Sequence, residues 1–280
     1  MRRFLCAQVL LLWSIISFGQ DAHALRRTFL DPTSPVVMVA AHRANHSRFP
    51  ENSLRAIEES IRVGVDIVEI DVKVSADGVP FLMHDRTLDR TTNGRGDPEE
   101  FTWEQLQKFD VIDKGRTTKL KIPSLEQALE IAHGKILVDL DLKTEKVSEV
   151  IEVVRRTGME EFVFFFDSDF EILSKVRSAS NDYMIMPRAH SVSEADSAIA
   201  LFDPPVVHID FSFYSAESVN TIAMSSARVW INALGDCDDD VRRGKEKRAL
   251  KRLLGHGANV IQTDEPERLL AALRNEGLHP

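Results

Sequence analysis

The stretch Val65-Asp66-Ile67-Val68-Glu69-Ile70-Asp71-Val72 is a short Val/Ile-rich run, of the kind that forms a strand buried on both faces. It nevertheless carries Glu69 and Asp71, whose i, i+2 spacing puts both carboxylates on the same side of that strand. Seven more runs of the same kind follow the pattern: Val36–Ala41, Ile136–Leu142, Phe162–Phe166, Tyr183–Met186, Val206–Phe211, Arg228–Ala233 and Asn259–Thr263. Eight strands alternating with helices over about 250 residues predict an α/β fold, a (β/α)8 TIM barrel. An open doubly wound sheet fits less well, because no Gly-rich phosphate loop follows the first run.

The segments between the runs read as helices. Ser124 and Gln127 form a capping box before a helix closed by Gly134. Thr144 opens a helix with Val147, Val150, Ile151 and Val154 on one face, ended by Gly158. Asn52 is read as the cap of a helix bearing Leu54, Ile57 and Ile61 and closed by Gly64. Asp238 begins a charged segment, Val241 to Leu254, read as an outer, solvated helix. The exception to the alternation is residues 85–123. This stretch holds the turn cluster Thr91-Thr92-Asn93-Gly94 and a helical pattern from Trp103 to Phe109. So long an insertion in a compact domain is usually functional, and it is expected to form a small cap beside the site.

The N-terminus carries a separate message. Arg2 and Arg3 precede an almost wholly apolar stretch from Phe4 to Phe18, and Ala22-His23-Ala24 is an A-x-A cleavage pattern. Residues 1–24 therefore read as a secretory signal peptide, too short in its apolar part for the roughly 20 residues of a span. The expected product is a single domain, residues 25–280, exported to a periplasm or secreted, with no stable membrane span after cleavage.

Composition narrows the function. With 43% hydrophobic residues the chain of 280 is neither disordered nor, with two cysteines, a disulfide scaffold. Lys and Arg number 35 against 44 Asp and Glu, and a net charge of −9 argues against nucleic acid as a partner. In a barrel the chemistry gathers at the carboxyl ends of the strands. There the sequence places His42 and Arg43, Glu69 and Asp71, His84 and Asp85, Asp139, Asp141 and Lys143, then Arg188, His208, Asp210, Trp230, Asn232 and Asp264. Charges inside apolar runs are costly unless they are paired or bind a metal. Glu69, Asp71 and Asp141 make a hard oxygen set suited to Mg²⁺ or Ca²⁺. On spacing alone, ion pairs with Lys143, Arg43 and Arg188 would satisfy the same acids. His42 and His84 each lie at a strand end beside a charged neighbour, where two imidazoles can supply an acid and a base.

The order His42-Arg43-Ala44, Pro50-Glu51-Asn52-Ser53, Val68-Glu69-Ile70-Asp71-Val72, Asp77-Gly78, His84-Asp85 and Leu88-Asp89-Arg90-Thr91-Thr92 resembles the glycerophosphodiester phosphodiesterases. Asp139 to Lys143 and Gly257 to Pro266 are similar to that family's third-strand and closing-strand motifs, so the resemblance spans the chain beyond the leader. It implies a metal-dependent barrel hydrolase that cleaves small phosphodiesters, such as glycerophosphocholine or a lysolipid, to an alcohol and glycerol phosphate. By matched position His42 and His84 would be the acid–base pair, and Glu69, Asp71 and Asp141 would hold the Mg²⁺ or Ca²⁺. Arg43 and Lys143 would contact phosphate, Glu51 would help shape the site, and Trp230 would line the pocket. The resemblance further implies a substrate hydroxyl as nucleophile and a cyclic phosphate that water then opens.

Two positions depart from the pattern. Ala44 stands where the family has Gly, a cost if the backbone there needs positive φ. Asp141 is one methylene shorter than the usual Glu. Two alternatives accompany this reading: a sphingomyelinase-D-like or lysophospholipid-cleaving lyase that stops at the cyclic phosphate, and an idle exported barrel that binds phospholipid head groups.

Overall fold

The computed structural model describes residues 21–280. Eleven strands occur among the described residues: β1 (Met38–Ala41), β2 (Ile67–Val74), β3 (Pro80–Leu82), β4 (Ile112–Asp113), β5 (Arg116–Thr117), β6 (Leu137–Leu142), β7 (Val163–Asp167), β8 (Met184–Ala189), β9 (Val206–Ile209), β10 (Arg228–Asn232) and β11 (Val260–Thr263). Eight of them, β1, β2 and β6 to β11, lie in sequential parallel order, and β1 pairs with both β2 and β11, which closes the sheet. Each corresponds to one of the eight apolar runs. The helices are α1 (Ala22–Leu30), α2 (Leu54–Val63), α3 (Trp103–Leu106), α4 (Leu125–Ala132), α5 (Val147–Arg156), α6 (Phe170–Ala179), α7 (Val192–Phe202), α8 (Ala216–Met224), α9 (Asp236–Arg242), α10 (Glu246–Leu253) and α11 (Pro266–Asn275). The fold is the expected (β/α)8 barrel.

Register carries the first functional consequence. In the β2–β6 pairing Glu69 lies beside Asp139 and Asp71 beside Asp141. Four carboxylates are thereby stacked as two neighbouring pairs, and three of them are at most 2% exposed.

The opposite, amino-terminal end of the barrel is plugged by α1. Phe29 stacks on Phe164 of β7 at 5.0 Å, and Phe164 meets the edge of Trp230. The fully buried Arg228, at the start of β10, donates to the carbonyls of Phe29, Thr28, Asp31, Val36 and Asn259. A buried guanidinium survives because its rigid fork of donors finds acceptors on every side. The leader reading falls mostly on residues 1–20, outside the described residues. Its last residues belong to the fold: Asp21 caps α1, and the buried Ala22 donates to the Gly134 carbonyl.

Three local expectations change. The cap of α2 is Ser53, whose hydroxyl accepts from the Ala56 N–H, while Asn52 sits at φ 53 and turns its side chain to β2. The α5 helix starts at Val147, and Thr144 lies before it, donating its hydroxyl to Glu99 and accepting from the Lys146 N–H. The charged segment after Asp238 is two helices, α9 and α10, separated at Gly244 (φ 70). Asp238 itself is fully buried, accepting from the Thr263 hydroxyl and the Asp264 N–H rather than facing water.

Residues 85–123 follow β3, which pairs antiparallel to β2 outside the barrel ring. They carry a 3₁₀ turn (Pro98–Glu100), α3 and the β4–β5 hairpin. Phe81, Met83, Leu88, Leu106 and Ile122 form a small apolar cluster under this insertion, backed by Phe101, Trp103 and Phe109.

Candidate active site

The turn after β1 begins the site. Arg43 and Ala44 adopt φ of 50 and 63, so two successive non-glycine residues occupy the left-handed region that an L side chain enters at a cost. The positive φ that makes a methyl group costly at position 44 is therefore present. It aims the Arg43 N–H at Glu69 Oε2 (2.6 Å) and the Ala44 N–H at the Glu69 carbonyl.

From that turn Arg43 reaches Glu51 Oε1 at 3.0 Å and Asp71 Oδ2 at 3.7 Å. Glu51 is also gripped by Arg90 of the insertion, through Nη1 at 2.7 Å and Nη2 at 2.8 Å. The same guanidinium binds Asp85, which in turn holds His84 Nδ1 at 2.8 Å. Glu51 thus joins the β1 turn to the insertion. Burial would raise its carboxyl, but the Arg90 hydrogen bonds and the Arg43 charge keep it below the usual range. Asp85 is likewise held well below its ordinary value, chiefly by Arg90. His84 reaches the barrel because the Met83 N–H before it bonds to the Asp71 carbonyl.

The three expected metal ligands converge. Glu69, Asp71 and Asp141 each offer an oxygen, and these atoms lie within 4.8 Å of one another. Each acid is pinned through one oxygen. Glu69 Oε2 accepts from the Arg43 N–H and from Gln262 Nε2 at 3.2 Å. Asp71 Oδ2 accepts from Asn52 Nδ2 at 2.7 Å, and Asp141 Oδ2 from Lys143 Nζ at 2.6 Å. Lys143 Nζ also stands 3.6 Å from Asp71 Oδ1. Glu69 Oε1 and Asp141 Oδ1 carry no hydrogen bond among the described residues, so each can serve as a ligand without giving up a protein partner.

Electrostatics supports the same conclusion. Burial, then the Asp71, Asp141 and Asp139 charges, push Glu69 well above the ordinary carboxylate range. Burial and Asp71 push Asp141 up to about 7 against the pull of Lys143. Burial and Asp141 raise Asp139 as well, and its Oδ1 has no partner. For Lys143 burial acts downward, but Asp141 and Asp71 prevail and raise it. Two cationic side chains do not neutralise four clustered acids, and a bound divalent cation would. The oxygen donor set therefore fits a hard divalent ion.

His42 stands apart from the acids. Its Nδ1 donates to Asp264 Oδ1 at 2.8 Å, and His46 Nε2 meets the same oxygen at 3.1 Å. Burial acts upward on Asp264, yet the hydrogen bonds from the two imidazoles hold it well below the carboxylate range. Both candidate acid–base histidines are therefore anchored at Nδ1 by a carboxylate, and Nε2 of each is left for proton exchange.

Trp230 requires a correction. Expected to line the pocket, it is fully buried, with its indole N–H donating to Asn232 Oδ1 (3.1 Å) and Gln262 Oε1 (3.2 Å). An inward position on β10, below the strand end, places it in the barrel core, and its link to the acids runs through Gln262, which donates to Glu69. The residues sequence reasoning missed are Asn52, Gln262, His46 and, as a partner of His42, Asp264. Arg188 of β8, His208 of β9 and Asp210, just past the end of β9, form another cluster, where Arg188 Nη2 binds Asp210 at 2.6 Å. Burial, with the Arg188 charge beside it, lowers His208 to about 4.

The family model for the glycerophosphoryl diester phosphodiesterase family matches residues 42–268. A glycerophosphodiester phosphodiesterase of Caldanaerobacter subterraneus is 25% identical over 251 residues, covering 86% of this chain and 99% of that protein. Human glycerophosphodiester phosphodiesterase 1 is 31% identical over 157 residues, which is 52% of this chain and 47% of the relative. Among solved structures, a glycerophosphoryl diester phosphodiesterase from Parabacteroides distasonis superimposes with a TM-score of 0.80 at 23% identity, covering 93% of both chains. An Oleispira antarctica phosphodiesterase in complex with the product sn-glycerol-3-phosphate gives 0.75 at 24% identity, over 87% of this chain and 99% of that one.

Proposed function

We propose, from the premise that this chain belongs to the glycerophosphoryl diester phosphodiesterase family, that it hydrolyses small glycerophosphodiesters to an alcohol and glycerol phosphate, with a Mg²⁺ or Ca²⁺ ion held by Glu69, Asp71 and Asp141. The observation that carries this reading is the joint presence of an under-neutralised three-carboxylate set and two histidines each anchored through Nδ1. When bound, the cation supplies Lewis-acid stabilisation of charge on the phosphoryl oxygens.

The chain's own residues do the rest. Arg43 and Lys143 bring the anionic phosphate against an acidic site that would otherwise repel it. One of His42 and His84 accepts the proton of the attacking hydroxyl at Nε2, and the other protonates the leaving alkoxide. Asp264 and Asp85 keep each Nδ1 proton in place and stabilise the imidazolium that forms. Glu51 and Arg90 hold the insertion against the rim, and we assign that insertion the role of a cap. A cleft of about 300 Å³ lies between the β1 turn and the β4–β5 hairpin, lined in part by His46, Phe49, Glu51, Arg90 and Lys114. It is the proposed seat of the released alcohol group.

Export remains part of the proposal, on the basic, apolar, A-x-A order of the leader. Sequencing the amino terminus of exported protein tests it. A cut after Ala24 would remove the Asp21 cap and the buried Ala22, so it would also lower stability. The activity is tested with a panel of glycerophosphodiesters and lysolipids in Mg²⁺, Ca²⁺ or chelator, with products followed by phosphorus NMR. Glycerol phosphate formed only with added cation is the expected result, abolished in Asp141→Ala. Turnover by Asp141→Ala with an unchanged metal response, or persistent cyclic phosphate as the end product, would overturn the reading.

A further inference from the structure

Beyond the three-carboxylate set, the barrel mouth holds a second group of convergent donors. His42 Nδ1 and His46 Nε2 face one oxygen of Asp264, and the three donor atoms lie within 4.8 Å of one another. The two groups share no residue and differ in chemistry. Glu69, Asp71 and Asp141 offer oxygen alone, which suits hard ions such as Mg²⁺ and Ca²⁺. Two imidazole nitrogens with one carboxylate make a donor set favoured by Zn²⁺ and the neighbouring late first-row ions.

The surroundings can admit such an ion. The Asp264 carboxylate is held from behind, its backbone N–H donating to Asp238 Oδ2 at 2.8 Å and Oδ2 lying 3.7 Å from Arg242. His42 and His46 both project from the turn after β1, their rings edge to face at 6.4 Å, and 28% of the His46 side chain is exposed. Tetrahedral zinc bonds of about 2.0–2.1 Å separate donor atoms by roughly 3.3 Å. Two of the three present separations, 2.8 and 3.1 Å to Asp264, therefore need to open by only a few tenths of an ångström, while the two nitrogens lie within 4.8 Å of each other. Arg242 opposes the ion from the far oxygen, which favours a tightly coordinated cation over a loosely held one.

We propose that His42, His46 and Asp264 form a second cation site, selective for Zn²⁺ and related late first-row ions, and that filling it shuts off the hydrolase. An ion on His42 Nδ1 displaces the proton there, to solvent from the imidazolium or by transfer to Nε2 in the neutral ring, so that the ring's one proton sits on Nε2. That nitrogen can neither accept a proton from an attacking hydroxyl nor, as a neutral-imidazole N–H far less acidic than an imidazolium, protonate a leaving alkoxide. No electron moves, and apart from that proton shift the only bonds made are metal–ligand bonds. The inhibitory half rests on the reading of His42 as an acid–base group, and the binding half does not.

The experiment titrates metal-free protein with Zn²⁺ by calorimetry and with Co²⁺ by visible absorption, in the unaltered chain and in His46→Gln and His46→Ala. Glutamine retains an N–H able to donate to Asp264 but removes the imidazole ligand. The expected result is one Zn²⁺ equivalent, with a tetrahedral Co²⁺ spectrum, that weakens at least tenfold in both variants and persists in Asp141→Asn. At saturating Mg²⁺, Zn²⁺ should inhibit the unaltered enzyme in a way that further Mg²⁺ does not relieve. The inhibitory midpoint, taken relative to each variant's zinc-free rate, should move at least tenfold in His46→Gln. Equal Zn²⁺ affinity and stoichiometry in all of these proteins would overturn the site. Loss of that equivalent without any change in the inhibitory midpoint would overturn the link to His42 while leaving the site standing.

Discussion

Asn52 offers the sharpest test of how the site is built. It is 4% exposed, sits at φ 53, donates to Asp71 Oδ2 at 2.7 Å and accepts the Asp71 N–H at 3.0 Å. Substitution by Gly keeps the backbone conformation but removes both bonds. One of them ends on a carboxylate, worth about 1.5–3 kcal/mol, and the other leaves a buried N–H unpaired, at about 1–3 kcal/mol. Shared desolvation makes these non-additive, and a loss of about 3 kcal/mol is expected for Asn52→Gly. Asn52→Ala adds left-handed strain of about 1–2 kcal/mol, less the roughly 0.4–1 kcal/mol that glycine loses through its freer unfolded chain. Alanine should therefore be about 1 kcal/mol less stable than glycine, an inversion of the usual order. Urea denaturation of the three proteins measures this directly. Both variants should also weaken activation by Mg²⁺ or Ca²⁺ by about 10- to 100-fold, because an unpinned Asp71 must be oriented at the expense of binding. Equal stability of the two variants would refute the strain argument. An unchanged activation constant would refute the idea that Asn52 orients a ligand.

Asp264→Asn preserves the shape of the His42 contact but removes its charge. Turnover should fall by about 10²- to 10⁴-fold, with some loss of stability because the depressed carboxylate stabilises the fold at neutral pH, and a loss of turnover below threefold would dismiss Asp264 as a partner of His42. At the opposite end, Arg228→Met strands the carbonyls that hold α1 and should cost about 3–5 kcal/mol in urea denaturation. His279 and Asp66 form a buried clasp at 3.0 Å. Burial lowers the His279 pKa, but the Asp66 hydrogen bond and charge prevail and raise it above its ordinary value. A raised histidine stabilises fully below its unfolded value near 6.5 and loses that stabilisation as pH climbs through the folded value. The thermal-midpoint gap between the unaltered protein and His279→Gln should thus be widest in mild acid and close on the alkaline side. A gap independent of pH would show the clasp to be uncharged.

How far the sequence could be read follows from the range of the forces involved. The barrel was legible because strands buried on both faces must be short and apolar, and each of the eight runs became a barrel strand. The acids of β2 and β6 were legible for the complementary reason, since a carboxylate inside such a run demands a partner. Local chemistry was less decisive where two residues could serve one role. Asn52 and Ser53 are both good caps, and only the structure shows that Ser53 takes the helix while Asn52 takes Asp71. Trp230 illustrates a different ambiguity, because an aromatic residue near a strand end can face the mouth or the core, and one residue's shift along the strand decides.

The partners of His42 could not be read at all, and the reason is topological. Asp264 is 222 residues away, and the two meet because β1 closes the barrel by pairing with β11, Ala41 beside Thr263. Closure places the first residue after the first strand against the first residue after the last, a juxtaposition encoded by strand count and stagger and not by any local motif. The same closure delivers Gln262 to Glu69 across 193 residues. The seam of the barrel is thus where the proposed acid–base histidine, its carboxylate and the clamp on the proposed metal ligand Glu69 are assembled. An alteration that loosened the β1–β11 pairing, such as Ala40→Pro, which removes an N–H inside the shared strand, should therefore reduce turnover more steeply than it reduces stability. Parallel losses in the two quantities would show that the seam serves the fold alone.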